Sequence, residues 1–184
     1  MSQHRLRRAA SVIATGGVVA YPTEAVYGLG CDPRNHAAVL RLLRMKRRPQ
    51  AKGLILIAAG FDRLEPFVHA LDTRRMAAIL ASWPGPSTWL MPARAQTPRW
   101  LTGDHTTLAV RVTAHPLAAA LCRQWGGALV STSANVSNRP PARTALAVRR
   151  RLDQPPDLVL VGRCAGALRP TSIRDGATGR TIRS

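Results

Sequence analysis

Acidic side chains are scarce: Asp and Glu number 9, against 27 Lys and Arg in 184 residues. So few acids, mostly scattered, leave little from which to build a paired-carboxylate glycosidase. Cysteine is as sparse. Cys31, Cys122 and Cys164 are odd in number and far apart, with no C-x-x-C, no H-E-x-x-H and no Cys/His cluster. That pattern argues against a disulfide framework or a structural zinc and fits a reducing cytosol. No run approaches the roughly 20 apolar residues of a membrane span. The first 20 residues loosely mimic a signal peptide. Ser11, Thr15, Gly16 and Gly17 interrupt their apolar part and no A-x-A site follows, so they read as an amphipathic helix leading into a strand. G-x-x-x-x-G-K-[ST] and G-x-S-x-G are absent, and Gly28-Leu29-Gly30 lacks the third glycine of a dinucleotide fingerprint.

Lysine is as rare as glutamate, with two of each. Lys46 and Lys52 are the only two, six residues apart in MKRRPQAKG, in a chain whose other basic residues are arginine. Two clustered lysines in such a background mark a place that wants a compact point charge, as phosphate sites do. The net charge of +18 and pI near 11.8 attract polyanions such as nucleotides and RNA. The arginine bias of a GC-rich genome produces the same surplus, and composition alone leaves both readings open. Arg5, Arg7 and Arg8, like Arg149, Arg150 and Arg151, form runs with no interleaved aromatic and read as solvated faces.

The stretch 21–31, YPTEAVYGLGC, holds both tyrosines and one of the two glutamates. It follows the apolar run 16–20. Pro22 cannot continue a ladder, so the stretch reads as a strand opening into a glycine-punctuated polar loop before a helix. In α/β proteins ligands bind at such strand ends. Helical spacing predicts helices over 4–15, 36–45 (Asn35 as N-cap), one or two within 61–82, 115–125 and 144–152. Strands are expected at 17–21, 54–58, 88–91, 107–112, 128–132 and 157–161, with a hairpin-like pair at 171–175 and 180–183. The alternation, 46% hydrophobic content and length predict one α/β domain over 1–184.

A polar constellation collects at these element ends. Lys46-Arg47-Arg48-Pro49 closes a helix, Ser131-Thr132-Ser133-Ala134-Asn135 follows a strand, Thr171-Ser172 opens another, and Arg111 lies within one. Short hydroxyl and amide side chains bond phosphate or ribose and let backbone N–H groups approach an anion. KRRP also suits a helix C-terminus, and STSAN a turn with a cap. A Ser133–Lys46 nucleophilic pair lacks an orienting third group.

YPTEAVYGLGCD, K-x-R-P at 46–49, KGLILI at 52–57, WPGPST at 83–88, LAVRVTAHP at 108–116, STSAN at 131–135 and TSIRD at 171–175 together resemble the YrdC/TsaC family of threonylcarbamoyl-AMP synthases, in its short bacterial form. The resemblance implies a single twisted mixed sheet with flanking helices around a large basic concave cavity. It implies that L-threonine, bicarbonate and ATP give threonylcarbamoyl-adenylate and pyrophosphate, with Mg²⁺ held mainly by the ATP phosphates. A partner transferase would then use the adenylate to modify tRNA beside the anticodon. Carried over residue by residue, Lys46 and Arg48 become the catalytic cations. Ser131, Ser133 and Asn135 hold the nucleotide, Thr23 and Arg111 grip threonine with Thr171 nearby, and Lys52 and Thr107 join the substrate-binding set. Ser137-Asn138-Arg139 departs from the family, which usually has Ser-Gly there, and puts that loop's shape in question. The competing class is a double-stranded RNA or rRNA binder that assists ribosome maturation without chemistry. For the enzyme, a cytoplasmic location and weak tRNA or double-stranded RNA binding are expected.

Overall fold

The computed structural model describes residues 3–167 and 171–183. Its strands are β1 (Val19–Pro22), β2 (Tyr27–Gly30), β3 (Ile55–Ala58), β4 (Ser87–Pro92), β5 (Thr107–Val112), β6 (Leu129–Ser133), β7 (Leu158–Val159), β8 (Ser172–Asp175) and β9 (Thr181–Arg183). The helices are α1 (Gln3–Ala14), α2 (His36–Met45), α3 (Thr73–Ala81), α4 (Arg99–Thr102), α5 (Pro116–Trp125) and α6 (Ala145–Arg151). One mixed sheet runs β7-β1-β2-β6-β3-β5-β4-β8-β9. The β1/β7, β3/β5 and β4/β8 pairs are parallel and the others antiparallel.

Strand alternation divides the core between the two faces of this sheet. Tyr21, Ile57 and Leu129 pack with Ala9 and Ile13 of α1 and Ala118 and Leu121 of α5. Their chain neighbours Ala20, Leu56 and Val130 point the other way, onto Val39 and Leu42 of α2, Ile79 of α3 and Val148 of α6. That is the period-2 consequence of a sheet covered on both sides. Caps set the helix starts. Asn35, Asp72 and Thr144 each accept an N–H from the first turn of α2, α3 and α6, and the His115 ring does so for α5.

One expectation needs correction. The stretch after Pro22 is not an open loop before a helix. It is a tight turn, residues 23–26, that returns as β2. Pro22 pairs with Tyr27, whose N–H turns outward to the Ala142 carbonyl, so no ladder bond is asked of the proline. Gly28 and Gly30 are strand residues; a Cβ on Gly30 would lie 2.5 Å from the Val130 carbonyl oxygen and 2.9 Å from the Tyr21 ring. Residues 61–82 hold a short 3₁₀ turn (Phe61–Arg63) and α3, as expected; the one-turn α4 was not anticipated. The terminal β8–β9 hairpin is as expected.

Candidate active site

The site forms where the β1–β2 turn, the end of β6 and the C-terminus of α2 meet. Helix α2 ends in a Schellman turn: the Arg47 N–H bonds the Arg44 carbonyl and the Arg48 N–H the Leu43 carbonyl. Arg47 takes the left-handed position at φ 48, where glycine is usual. This reversal separates three consecutive cations. Arg47 faces solvent and pairs with Asp153 at 2.6 Å. Lys46 is buried at 3% exposure. Arg48 is half-buried against the cavity.

Lys46 stitches α2 to the segment after β6. Its Nζ donates to the carbonyls of Ser133 and Asn135 and, at 3.3 Å, to Asn135 Oδ1. Its own carbonyl accepts the Ser137 N–H at 2.7 Å. Ser133 Oγ donates to Asn135 Oδ1 at 2.5 Å, and Asn135 Nδ2 bonds the Val136 and Arg139 carbonyls, both at 2.8 Å. The K-x-R and S-x-N motifs therefore form one hydrogen-bonded unit. Burial, aided by the nearby Arg48 charge, pushes the Lys46 ammonium down to about 7. The three oxygens around Nζ act in the opposite direction, by favouring the charged form. In the same segment Asn138 has φ 64, the conformation a glycine adopts freely and asparagine tolerates best among other residues. The departure at 137–139 thus keeps a backbone shape that suits glycine.

A cavity of about 310 Å³ opens in front of this unit. Thr23, Arg48, Arg111, Ser131, Ser133, Asn135 and Thr171 all line it. Lys46 lies behind it, turned onto the loop carbonyls. Lys52, which is exposed, and Thr107 line an adjoining cavity of about 310 Å³ that shares Arg48, Leu54, Ile55 and Arg183 with the first. Three guanidiniums (Arg48, Arg111 and Arg183) and no carboxylate line the first cavity. Arg48 Nη2 donates to the Gly53 carbonyl at 2.9 Å, while its buried Nε has no partner. Burial and the charge of Arg183 lower the Arg48 pKa. The Thr23 hydroxyl is engaged with the Val26 carbonyl at 2.7 Å, which closes the β1–β2 turn. Thr171 lies beside Thr88, with hydroxyls 3.4 Å apart.

Sequence reasoning missed Arg183, which it placed only within the terminal strand at 180–183, and the buried set behind Arg111. Arg111 Nη2 lies 3.4 Å from Glu24 Oε2, and Glu24 Oε1 accepts from the Thr113 hydroxyl at 2.8 Å. The rarity of glutamate was the available signal for Glu24; nothing marked Thr113 beyond its place in the 108–116 motif.

Comparisons with known proteins identify the family. The Sua5/YciO/YrdC family model, described as "Telomere recombination", matches residues 11–184. A threonylcarbamoyl-AMP synthase of Halorhodospira halophila is 56% identical over 179 residues, covering 97% of this chain and 94% of that protein. Its counterpart in Xanthomonas campestris pv. campestris (strain B100) is 54% identical over 180 residues, covering 97% and 96%. The crystal structure of P. abyssi Sua5 complexed with L-threonine superposes with a TM-score of 0.89 at 31% identity. It covers 95% of this chain, which spans about half (52%) of that protein's length. With a family model over nearly its whole length and relatives identical at more than half of aligned positions, the chain belongs to the Sua5/YciO/YrdC family.

Proposed function

We propose that this protein is a threonylcarbamoyl-AMP synthase, a nucleotidyltransferase that joins L-threonine, bicarbonate and ATP into threonylcarbamoyl-adenylate and pyrophosphate. The observation that carries the reading is a cavity lined by three guanidiniums and by the Ser133–Asn135 segment that Lys46 fastens, in a chain whose full-length relatives bear that name. The threonine amine attacks CO2 derived from bicarbonate; a C–N bond forms, the nitrogen gives up a proton, and water is the by-product of the bicarbonate carbon's conversion. A carbamate oxygen then attacks the α-phosphorus of ATP, and the bond to the pyrophosphate oxygen breaks. Two anions must meet, so the barrier is largely electrostatic, and fixed cations in a half-closed site lower it. Arg48 and Arg183 face the triphosphate, with Ser131, Ser133 and Asn135 around the nucleotide. Lys46 holds that loop in register and brings a further positive charge. Thr23, Arg111 and Thr171 surround the amino acid. Lys52 and Thr107, in the adjoining cavity, reach the outer part of the nucleotide. Positioning accounts for much of the rate, and no covalent enzyme intermediate is needed.

Hydroxyl and amide oxygens without a carboxylate suit Mg²⁺ that enters on the triphosphate and keeps its waters. Bound so, the ion supplies further neutralisation of phosphate charge. Among the described residues no cluster of His, Cys, Asp or Glu is placed to hold a metal, and no helix is long and apolar enough to cross a membrane. The adenylate would pass, in the cytoplasm, to a transferase that modifies tRNA. The test is pyrophosphate release by the purified chain. It should require threonine, bicarbonate and ATP together. Release indifferent to threonine, or none beside tight RNA binding, would favour the RNA-binding class instead.

A further inference from the structure

The polar groups behind Arg111 form a chain with one direction. The His115 N–H donates to Thr113 Oγ1 at 3.2 Å, so the Thr113 hydroxyl directs its own proton to Glu24 Oε1, at 2.8 Å. His115 is itself fixed. Its Nδ1 accepts the Ala118 N–H at 3.4 Å and its Nε2 faces the Arg163 carbonyl at 3.0 Å, which makes Nε2 the protonated nitrogen. At the far end, Glu24 Oε2 lies 3.4 Å from Arg111 Nη2 without a hydrogen bond, and Arg111 Nε is equally unpartnered. Both side chains are more than nine-tenths buried, Glu24 at 6% exposure and Arg111 at 5%.

As a stabilising device this arrangement is poor. A buried ion pair seldom repays its desolvation, and one with unmade hydrogen bonds repays less. As an orienting device it is well made. Arg111 lines the cavity, while Glu24 is absent from the lining and reaches the site only through it. The charges also sort the ligands. Arg48 and Arg183 are held by carbonyls, and no carboxylate lines the cavity beside them to offset their charge toward a triphosphate. Glu24 cancels Arg111 locally, and a pair of zero net charge suits a zwitterionic amino acid, whose carboxylate takes the guanidinium in a two-pronged grip.

We propose that Glu24 is a positioning residue: it holds Arg111 in the orientation that receives the carboxylate of the amino-acid substrate, and Thr113 holds Glu24. This rests on the reading that the cavity takes threonine. It separates an amino-acid half of the site, set by the β1–β2 turn and the end of β5, from a nucleotide half set by α2, β6 and β9.

The experiment measures threonine and ATP binding separately by calorimetry, with KM and kcat, for the full chain and three variants. In Glu24→Gln an amide NH₂ replaces a carboxylate oxygen beside the guanidinium and releases Arg111. Threonine Kd and KM should rise about ten- to a hundredfold, with ATP binding unchanged or tighter. Thr113→Val, which keeps the ion pair, should weaken threonine about three- to tenfold, and Thr113→Ser should restore it. If Glu24→Gln does not fold, the two Thr113 variants carry the decision. Unaltered threonine affinity in a folded Glu24→Gln overturns the proposal. So does a Thr113→Val that loses threonine and ATP affinity together, the mark of a merely structural role. A wild-type chain that neither binds threonine nor releases pyrophosphate with it overturns instead the reading on which the proposal rests.

Discussion

Lys46 shows how one side chain serves two ends. Its ammonium is buried among oxygens that belong to the very segment expected to hold the nucleotide. Removing it takes away a positive charge and frees the loop at once. Lys46→Ala should lose about a hundredfold in turnover, about 3 kcal/mol of barrier, in a pyrophosphate-release assay. Near wild-type turnover would remove Lys46 from the machinery. Lys46 also ties stability to pH. Its pKa falls from 10.5 in the open chain to about 7 in the fold, so between those values the unfolded chain binds the extra proton. Stability from this group is therefore lowest below pH 7, rises with pH through the window, and is fully recovered above 10.5. Denaturation of wild type and Lys46→Met across that range should show the wild type gaining on the variant, by at most about 1.4 kcal/mol per pH unit. Parallel curves would mean that the oxygen cage holds the ammonium at its ordinary pKa.

At the scale of the element, the end of α2 is the decisive turn. Its Schellman geometry sends Lys46 and Arg48 to different sides of the loop, and Arg47 sits at the position that usually belongs to glycine. The left-handed backbone costs a non-glycine residue about 1 kcal/mol, and the exposed Asp153 pair returns only a fraction of that. Arg47→Gly should therefore keep activity and raise the melting temperature by about 2–4 °C, less the small loss from the ion pair and from glycine's greater freedom in the unfolded chain. A fall in melting temperature would show that the Asp153 contact outweighs the strain. Helix α2 itself was legible in the sequence from its spacing and Asn35. The left-handed turn was not, because arginine is a poor sign of positive φ.

Over the whole molecule, 27 cations face 9 acids, so at least 18 have no acidic partner of their own. Arg149 and Arg150 are exposed at the end of α6. Arg151, grouped with them on sequence grounds, differs: its Nη1 donates to the Pro140 and Pro141 carbonyls, and Pro141 lines the cavity. The run is therefore not one uniform solvated face. Neutralising Arg149 and Arg150 together should flatten the salt dependence of RNA binding by up to about 2 units of slope, since each phosphate contact contributes roughly 0.9. Turnover on small substrates at moderate salt should hold. RNA affinity that stays tight at high salt, or lost turnover in the double variant, would place these two arginines in the working site.

The local code of this chain reached a long way by itself. Spacing, caps and turn residues placed α1, α2, α5 and α6 and most strands, because periodicity and capping are written in neighbouring residues. The motifs carried the family, and with it the neighbourhood of Arg48, Arg111, Ser133 and Asn135 that one cavity brings together. What tertiary structure alone decided is everything that depends on a partner distant in the chain. The return of the Pro22 segment as β2 depends on Ala142 and on β6, more than 100 residues later. The burial of Lys46 depends on carbonyls at 133 and 135, and the pairing of Arg111 on a glutamate 87 positions earlier. Hydrogen bonds and ion pairs across such separations leave no periodic trace in a single sequence, so only the folded chain shows which charge is held and which is left for a ligand.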